Sequence, residues 1–266
     1  MPYIQNDHVT LFVTESGPAD APAILFSNSL GTTHRMWDAV VAELSAEFRC
    51  IRYDTRGHGS STFSRNGFDI EDLSDDVLDI LDNLRVETVH FAGLSLGGMT
   101  GQALALKSPE RLASLTLMAT TAFMPPASAW NERADLVRRE GTKAIVDATL
   151  QRWFTSSFIT ASSGKVDRVA AEFRQAHSEG YAACCEAIGR MDFRSMIDRI
   201  QTPTLIIAGK QDPATPVAMS LAMHDTIVAS RLLVLDEAAH LLAVEQPEAV
   251  IEALKAHIDR SVSNFS

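Results

Sequence analysis

Ser95 stands at the centre of Gly93-Leu94-Ser95-Leu96-Gly97, between the apolar run Val89-His90-Phe91-Ala92 and a helix-like stretch from Gly98 to Lys107. The pattern G-x-S-x-G at a strand-to-helix junction is that of a nucleophile elbow, a turn tight enough to strain its own backbone and expose the serine hydroxyl at a sheet edge. Glycine is needed on both flanks, because a side chain there would strike the neighbouring strand or helix. The helix that follows directs its first N–H groups and the positive end of its dipole at whatever the hydroxyl attacks. Gly98 and Gly101 allow that helix to pack very close to the sheet. The chemistry implied is nucleophilic attack on an acyl carbon, with a tetrahedral oxyanion to be stabilised.

Serine at neutral pH is a poor nucleophile, so the elbow needs a general base and a group that orients that base. Of the eight histidines, only His240, in Asp236-Glu237-Ala238-Ala239-His240, directly follows the last expected strand, where a loop brings imidazole to the edge that holds Ser95. His58 in a Gly-His-Gly turn, His90 within a strand, and His177 and His257 in helices read as structural or surface groups. For the acid, Asp212 follows the strand Thr204-Leu205-Ile206-Ile207-Ala208 through Gly209-Lys210-Gln211. The alternative location, after the strand ending at Met118, reads Ala119-Thr120-Thr121 and contains no carboxylate. The resulting order of serine, acid and histidine is the one expected for this elbow. The oxyanion needs two donors: Leu96 N–H, just after the nucleophile, and Leu30 N–H in the loop Asn28-Ser29-Leu30-Gly31. His34, beside that loop, is expected to line the pocket as a secondary contact.

These residues require a sheet to carry them. Short apolar runs occur at Ala23 to Ser27, Cys50 to Tyr53, Val89 to Ala92, Ser114 to Met118, Thr204 to Ala208 and Arg231 to Leu235, with helical segments between them. Continuous β-rich runs separated by helices describe a parallel sheet covered on both faces. Pro2 to Gln5 and Val9 to Glu15 flank Asn6-Asp7-His8 as a hairpin at the start of the chain. Leu73, Val77, Ile80, Leu81 and Leu84 recur at helical spacing, with Asp69 as a cap, and a last helix starts at Pro247. Between Thr121 and about Ile200 the alternation stops and the chain turns helical throughout, too long a stretch for a loop. The expected organisation is a core from residues 1–121, a helical cap or lid over 122–200, and the rest of the core from 201–266.

Composition limits the partners. With 266 residues, 46% hydrophobic and 21% charged, the chain is long enough for a substantial core, and no apolar run reaches the length of a membrane span. A formal net charge of −11 with no basic stripe argues against nucleic acid and anionic membranes. The N-terminal residues lack a basic region followed by an apolar one, so a cytoplasmic protein is expected. Cys50, Cys184 and Cys185 have neither disulfide nor zinc spacing and read as small apolar fillers. No His/Asp/Cys cluster has ligand spacing, so no metal or organic cofactor is expected.

Ser27-Asn28-Ser29-Leu30-Gly31, Asp54-Thr55-Arg56-Gly57-His58-Gly59-Ser60, the elbow, Gly209-Lys210-Gln211-Asp212 and Ala238-Ala239-His240 together resemble the α/β-hydrolase family along essentially the whole chain. The resemblance implies an α/β-hydrolase fold: a mostly parallel eight-stranded sheet, helices on both faces and a helical cap inserted after strand 6. More narrowly, the chain is similar to the 3-oxoadipate enol-lactonases of aromatic catabolism, because Asn28-Ser29 replaces the commoner His-Gly pair and Trp130-Asn131-Glu132-Arg133 opens the insertion. That resemblance implies a small anionic lactone substrate, with Arg133 as the cation for its carboxylate and Trp130 as an apolar wall. A carboxylesterase or thioesterase, a cofactor-free haloperoxidase, or a ligand receptor on a hydrolase fold are the alternatives. Dehalogenase and epoxide hydrolase chemistry normally needs a carboxylate at the elbow, which Ser95 excludes.

Overall fold

A computed structural model describes residues 3–5, 9–63 and 67–263. The order of elements is β1 (Tyr3–Gln5), β2 (Thr10–Ser16), β3 (Ala23–Ser27), α1 (Asp38–Leu44), β4 (Arg49–Tyr53), α2 (Ile70–Asn83), β5 (Val89–Leu94), α3 (Leu96–Lys107) and β6 (Leu112–Met118). Five helices follow: α4 (Ala127–Glu140), α5 (Val146–Trp153), α6 (Ser156–Ala161), α7 (Ser163–Arg174) and α8 (Ser178–Arg190). The chain then returns through β7 (Thr204–Gly209), α9 (Val217–Thr226), β8 (Ser230–Leu235), α10 (Leu242–Glu245) and α11 (Pro247–Ser263).

The eight strands form one sheet in the order β1-β2-β4-β3-β5-β6-β7-β8. β1 and β2 pair antiparallel, as does β2 with β4, and every other pairing is parallel. The expected hairpin thus has its two strands, while its turn residues 6–8 and Pro2 lie outside the described residues. The chemistry-bearing strands are central: β5 lies between β3 and β6, and every residue of β3, β5 and β7 is buried. This is why they read as unbroken apolar runs rather than as alternating ones. β8, at the sheet edge, is only partly covered.

The helices that clamp the sheet follow from local rules. Asp69 caps α2 in a reciprocal box, accepting from Asp72 N–H at 3.0 Å while its own N–H donates to Asp72 Oδ2 at 2.8 Å. The 3.6-residue stripe of Leu73, Val77, Ile80 and Leu81 is wholly buried. α2 packs beside α3, which rests on β3, β5 and β6, while α1 packs with α11. The three cysteines are buried free thiols, and burial pushes Cys50 and Cys185 up to about 12, which leaves them protonated and inert.

The helical stretch α4 to α8 leaves the sheet after β6 and returns before β7. Its two ends are joined where Phe123 and Asp192 pair in an antiparallel bridge, with Phe193 N–H donating to the Ala122 carbonyl at 2.8 Å. α4 and α8 form the main contact within it. Among the described residues no helix is long and apolar enough to cross a membrane.

The close approach of α3 to the sheet is set by glycine. A Cβ at Gly93 would overlap the Gly97 carbonyl, and one at Gly97 would overlap the Ser27 carbonyl, so neither neighbour has room to move without displacing a central strand. Gly97→Ala is expected to destabilise the fold by about 3 kcal/mol, the upper range for overpacking a rigid site. Thermal unfolding followed by circular dichroism should show the midpoint falling by roughly 6–12 °C. A midpoint within a degree of the parent would mean that the contact is not rigid.

Candidate active site

Ser95 is the residue between β5 and α3, and its backbone is strained as the elbow requires, with φ 57° and ψ −111°. A non-glycine residue in such a conformation costs roughly 1–3 kcal/mol and needs neighbours that leave it no alternative. Those neighbours are present. Ser95 N–H donates to the Met118 carbonyl at 2.8 Å, its own carbonyl accepts from Thr120 Oγ1 at 2.8 Å and Met99 N–H at 3.0 Å, and Gly97 N–H donates to Asn28 O at 2.9 Å. The turn is therefore held from β6 on one side and from the loop after β3 on the other.

That loop is itself fastened at several points. Asn28 Nδ2 donates to the Tyr53 carbonyl at 2.6 Å while its Oδ1 accepts from Trp37 Nε1 at 3.0 Å. Gly31, with φ 83°, donates its N–H to His58 Nε2 at 2.9 Å, and any side chain there would meet the Phe173 ring. Because Nε2 accepts, the proton of neutral His58 sits on Nδ1, which donates to the Arg56 carbonyl at 3.2 Å. Arg56 is in turn locked to Asp76 of α2 by two bonds of 2.6 and 2.7 Å. The N–H groups of Leu30 and Leu96 donate to no acceptor among the described residues. Two adjacent loops thus each present an unused backbone donor near Ser95.

His240 lies in the loop between β8 and α10, and its Nδ1 is 2.8 Å from Asp212 Oδ2. Asp212 follows β7, where Gly209 fits directly beneath the carbonyls of Ala238 and Ala239 and so brings the two loops together. The carboxylate accepts from Ala214 N–H at 2.7 Å, Thr215 N–H at 3.1 Å and Thr215 Oγ1 at 2.6 Å. Burial pushes the Asp212 carboxyl up, but His240 and the Thr215 donors outweigh it and hold the group below the ordinary carboxylate value. An ionised carboxylate only accepts, so His240 carries its proton on Nδ1 and keeps a lone pair on Nε2. The loop is tied down by Leu241 N–H to the Trp153 carbonyl at 2.9 Å and by buried Glu245, which accepts from Ala239 N–H at 2.9 Å and Thr155 N–H at 3.0 Å.

Ser95 and His240 open into one cavity of about 310 Å³ whose walls include Ser29, Leu30, Trp130 and Arg133. Trp130 and Arg133 are three residues apart on α4 and so share a face. Arg133 Nε donates to Tyr181 Oη at 2.8 Å and an Nη donates to Thr149 Oγ1 at 3.0 Å. A second guanidinium, Arg152 on α5, lines the same cavity and reaches Thr149 Oγ1 at 3.4 Å. Burial lowers the Arg152 pKa, and the repulsion of Arg133 lowers it further. Among the described residues neither arginine is paired with a carboxylate, although the chain carries an acidic excess. Arg138, by contrast, is held by Glu179 and Glu186 outside the cavity.

The structure brings Ser95, His240, Leu30, Trp130 and Arg133 to one cavity, with Asp212 behind His240 and Leu96 behind Ser95. It does not bring His34 there. That imidazole bonds Asp54 Oδ1 through Nδ1 at 2.8 Å and faces a separate polar cavity behind the oxyanion loop, because the Asp54 carboxylate draws both its ring and its backbone N–H away. Sequence reasoning also missed Arg152. It stands between Gln151 and Trp153 in a mixed segment, and only its i, i+3 spacing from Thr149 hinted that it shares a face with that hydroxyl. Among the described residues no cluster of side chains suited to a metal ion is formed.

With this geometry in view, the likeness to known proteins is specific. The α/β hydrolase fold family matches residues 22–247, and the chain belongs to that family. It is 42% identical to 3-oxoadipate enol-lactonase 2 of Acinetobacter baylyi, over 95% of this chain and 94% of that protein. The crystal structure of the enol-lactonase from Burkholderia xenovorans superposes with a TM-score of 0.94 at 36% identity, covering 97% of this chain and 100% of that one. A thermophilic esterase from Thermogutta terrifontis gives 0.92 at 27% identity over 97% and 98% of the two chains. The protein is accordingly a hydrolase.

The His58 bond to Gly31 generates a pH prediction. Burial lowers the His58 pKa in the folded protein, so as pH falls below about 6.5 the unfolded chain takes up the proton first and native stability declines. Above that pH the contribution is fully present. Urea unfolding at pH 7.5 and 5.0 should therefore show a lower midpoint at the acid value for the parent and a smaller pH difference for His58→Gln. Equal pH differences in the two proteins would reject the assignment.

Proposed function

We propose that this hydrolase opens 3-oxoadipate enol-lactone to 3-oxoadipate, in the cytoplasm, as a step in the catabolism of aromatic compounds. The observation that carries the reading is the pair Arg133 and Arg152, two guanidiniums without a carboxylate partner among the described residues, in the wall of the cavity that holds Ser95 and His240. Mutual repulsion and partial burial make such a pair costly unless an anion completes it. A carboxylate on the substrate would supply that anion, and a guanidinium clamps it with parallel charge-assisted bonds. The likeness to the enol-lactonases of A. baylyi and B. xenovorans supports the same substrate.

In the reaction, Ser95 Oγ adds to the lactone carbonyl as its proton passes to His240 Nε2, and Asp212 holds the imidazole in the required tautomer. The N–H groups of Leu30 and Leu96 receive the oxyanion. Collapse of the intermediate breaks the ring C–O bond and expels an enolate, which takes the proton and becomes the ketone. Water, deprotonated by His240, then attacks the acyl-enzyme, and Ser95 leaves with that proton as 3-oxoadipate is released. An enolate is a good leaving group, so binding and orientation matter more than acid assistance. Trp130 forms an apolar wall beside the ring.

Spectrophotometric assay of the enol-lactone against simple esters and acyl thioesters tests the reading, which expects the highest kcat/KM for the lactone. Preference for a neutral ester would favour a carboxylesterase, and an organophosphonate that adds no mass at Ser95 would favour a ligand receptor. Ser95→Ala should lower kcat by about 10,000-fold or more. Arg133→Ala and Arg152→Ala should each raise KM for the lactone by about 10- to 100-fold, the worth of one charged hydrogen-bonded contact, while leaving aryl ester hydrolysis within about two-fold. Equal losses on both substrates would reject an anion-binding role.

A further inference from the structure

The hydroxyl of Ser29 is left over when the bonds of the oxyanion loop are assigned. Ser29 is 2% exposed. Its N–H donates to Met36 Sδ at 3.4 Å, and its carbonyl accepts from Thr32 N–H at 3.1 Å and from Thr32 Oγ1 at 2.8 Å. Its Oγ has no hydrogen-bond partner among the described residues, yet Ser29 forms part of the cavity wall together with Leu30, Ser95 and His240. With the backbone atoms spoken for by the turn, the hydroxyl is the polar group that Ser29 offers to the cavity.

Ser29 Oγ is not one of the fully enclosed polar atoms without a partner; the hydroxyl opens onto the cavity, where a bound molecule can take its hydrogen bond. The position of this hydroxyl identifies the partner. Oγ is separated from the Leu30 nitrogen by only four covalent bonds, so a hydroxyl turned into the cavity addresses the same region as the unused Leu30 N–H. The group that Leu30 serves is the carbonyl oxygen under attack. The Arg133 and Arg152 guanidiniums, on α4 and α5, line the same cavity and bond Tyr181 and Thr149, whereas the unused N–H donors belong to the loops after β3 and β5.

We propose that Ser29 is a catalytic residue whose Oγ–H is a third donor to the oxyanion, alongside the N–H groups of Leu30 and Leu96; this rests on the Ser95 mechanism proposed above. The hydroxyl rotor, held by no other side chain, aligns on the substrate carbonyl. Its bond strengthens as the oxygen gains negative charge, because a charged acceptor binds a donor about twice as strongly as a neutral one. No bond to Ser29 forms or breaks, and its proton stays on Oγ throughout. The differential strengthening places its effect on kcat rather than on KM. The roles of Asn28 and Ser29 are then divided, since Asn28 fastens the loop between Tyr53 and Trp37 while Ser29 adds a donor that glycine at this position would lack.

The test compares Ser29→Ala and Ser29→Gly with the parent on the enol-lactone, after an organophosphonate titration has counted the reactive Ser95 in each preparation. Both variants should lose about 10- to 100-fold in kcat per reactive serine, with KM within about two-fold, at or just below the roughly 100- to 1,000-fold effect of deleting one oxyanion donor. Ser29→Ala and Ser29→Gly should agree within about three-fold, since both lack the hydroxyl while differing in backbone freedom. Overturning results are a kcat within two-fold of the parent in either variant, or a loss that falls on KM. A parent enzyme whose Ser95 is not phosphonylated would instead bring down the Ser95 mechanism itself, so the two failures are told apart.

Discussion

The strained turn at Ser95 is the constraint on which the rest of the molecule depends. A left-handed φ at a serine is disfavoured and survives only where the surroundings exclude relaxation. Here the exclusion is geometric: α3 sits so close to β3 and β5 that Gly93 and Gly97 are pressed against backbone carbonyls. The closeness in turn requires fully buried central strands, a deep apolar layer beneath α3, and helices on the outer faces to supply that burial. The position of one hydroxyl is therefore stabilised by the packing of the whole sheet rather than by any contact of its own.

The same economy runs through the loops at the strand ends. Asn28 is at once a link between β4 and the Trp37 turn and an acceptor for Gly97 N–H, so the oxyanion loop and the elbow are one hydrogen-bonded unit. Behind it, Asp54, Arg56 and His58 form a second layer: Asp54 anchors His34 and Ser60, Arg56 reaches α2, and His58 holds Gly31. None of these three lines the reactive cavity, and together they determine where its donors point. Local anchoring of this kind lets backbone amides face a developing charge without reorganising during the reaction.

The helical insertion supplies what the core lacks. The core contributes Ser95, His240 and the unused N–H groups to the cavity, whereas Trp130, Arg133 and Arg152 belong to α4 and α5. α5 and the turn after it are also fastened to the His240 loop, through Leu241 to the Trp153 carbonyl and through Glu245 to Thr155. Arg152 is adjacent to Trp153, so the segment that would feel the substrate anion is bonded to the residue next to His240. In the proposed reaction the sheet edge would carry the acyl chemistry and the insertion would hold the substrate anion.

The fold, and which residues meet at the candidate site, were largely legible in the linear chain. Apolar runs at β3, β5, β6 and β7 read as buried strands because burial on both faces demands unbroken hydrophobicity, and Gly93-Leu94-Ser95-Leu96-Gly97 was legible because the turn admits so few side chains. Asp212 and His240 followed from their places after β7 and β8, since strand ends in a parallel sheet converge on one edge. The residues that were misplaced or overlooked owe their places to tertiary packing. His34 stands beside the oxyanion loop in the chain, but the Asp54 carboxylate captures it on the other side. Arg152 stands between Gln151 and Trp153 with nothing to mark it until the fold brings it to the cavity beside Arg133, and the hydroxyl of Ser29 is unremarkable until every bond around it has been placed. Periodicity and turn chemistry are local properties, so the sequence alone determined the strands, the elbow and the order in which Ser95, Asp212 and His240 leave the strand ends. Which polar group is left without a partner is decided only when the chain has closed around it, because hydrogen bonding is a competition among atoms brought together by tertiary packing.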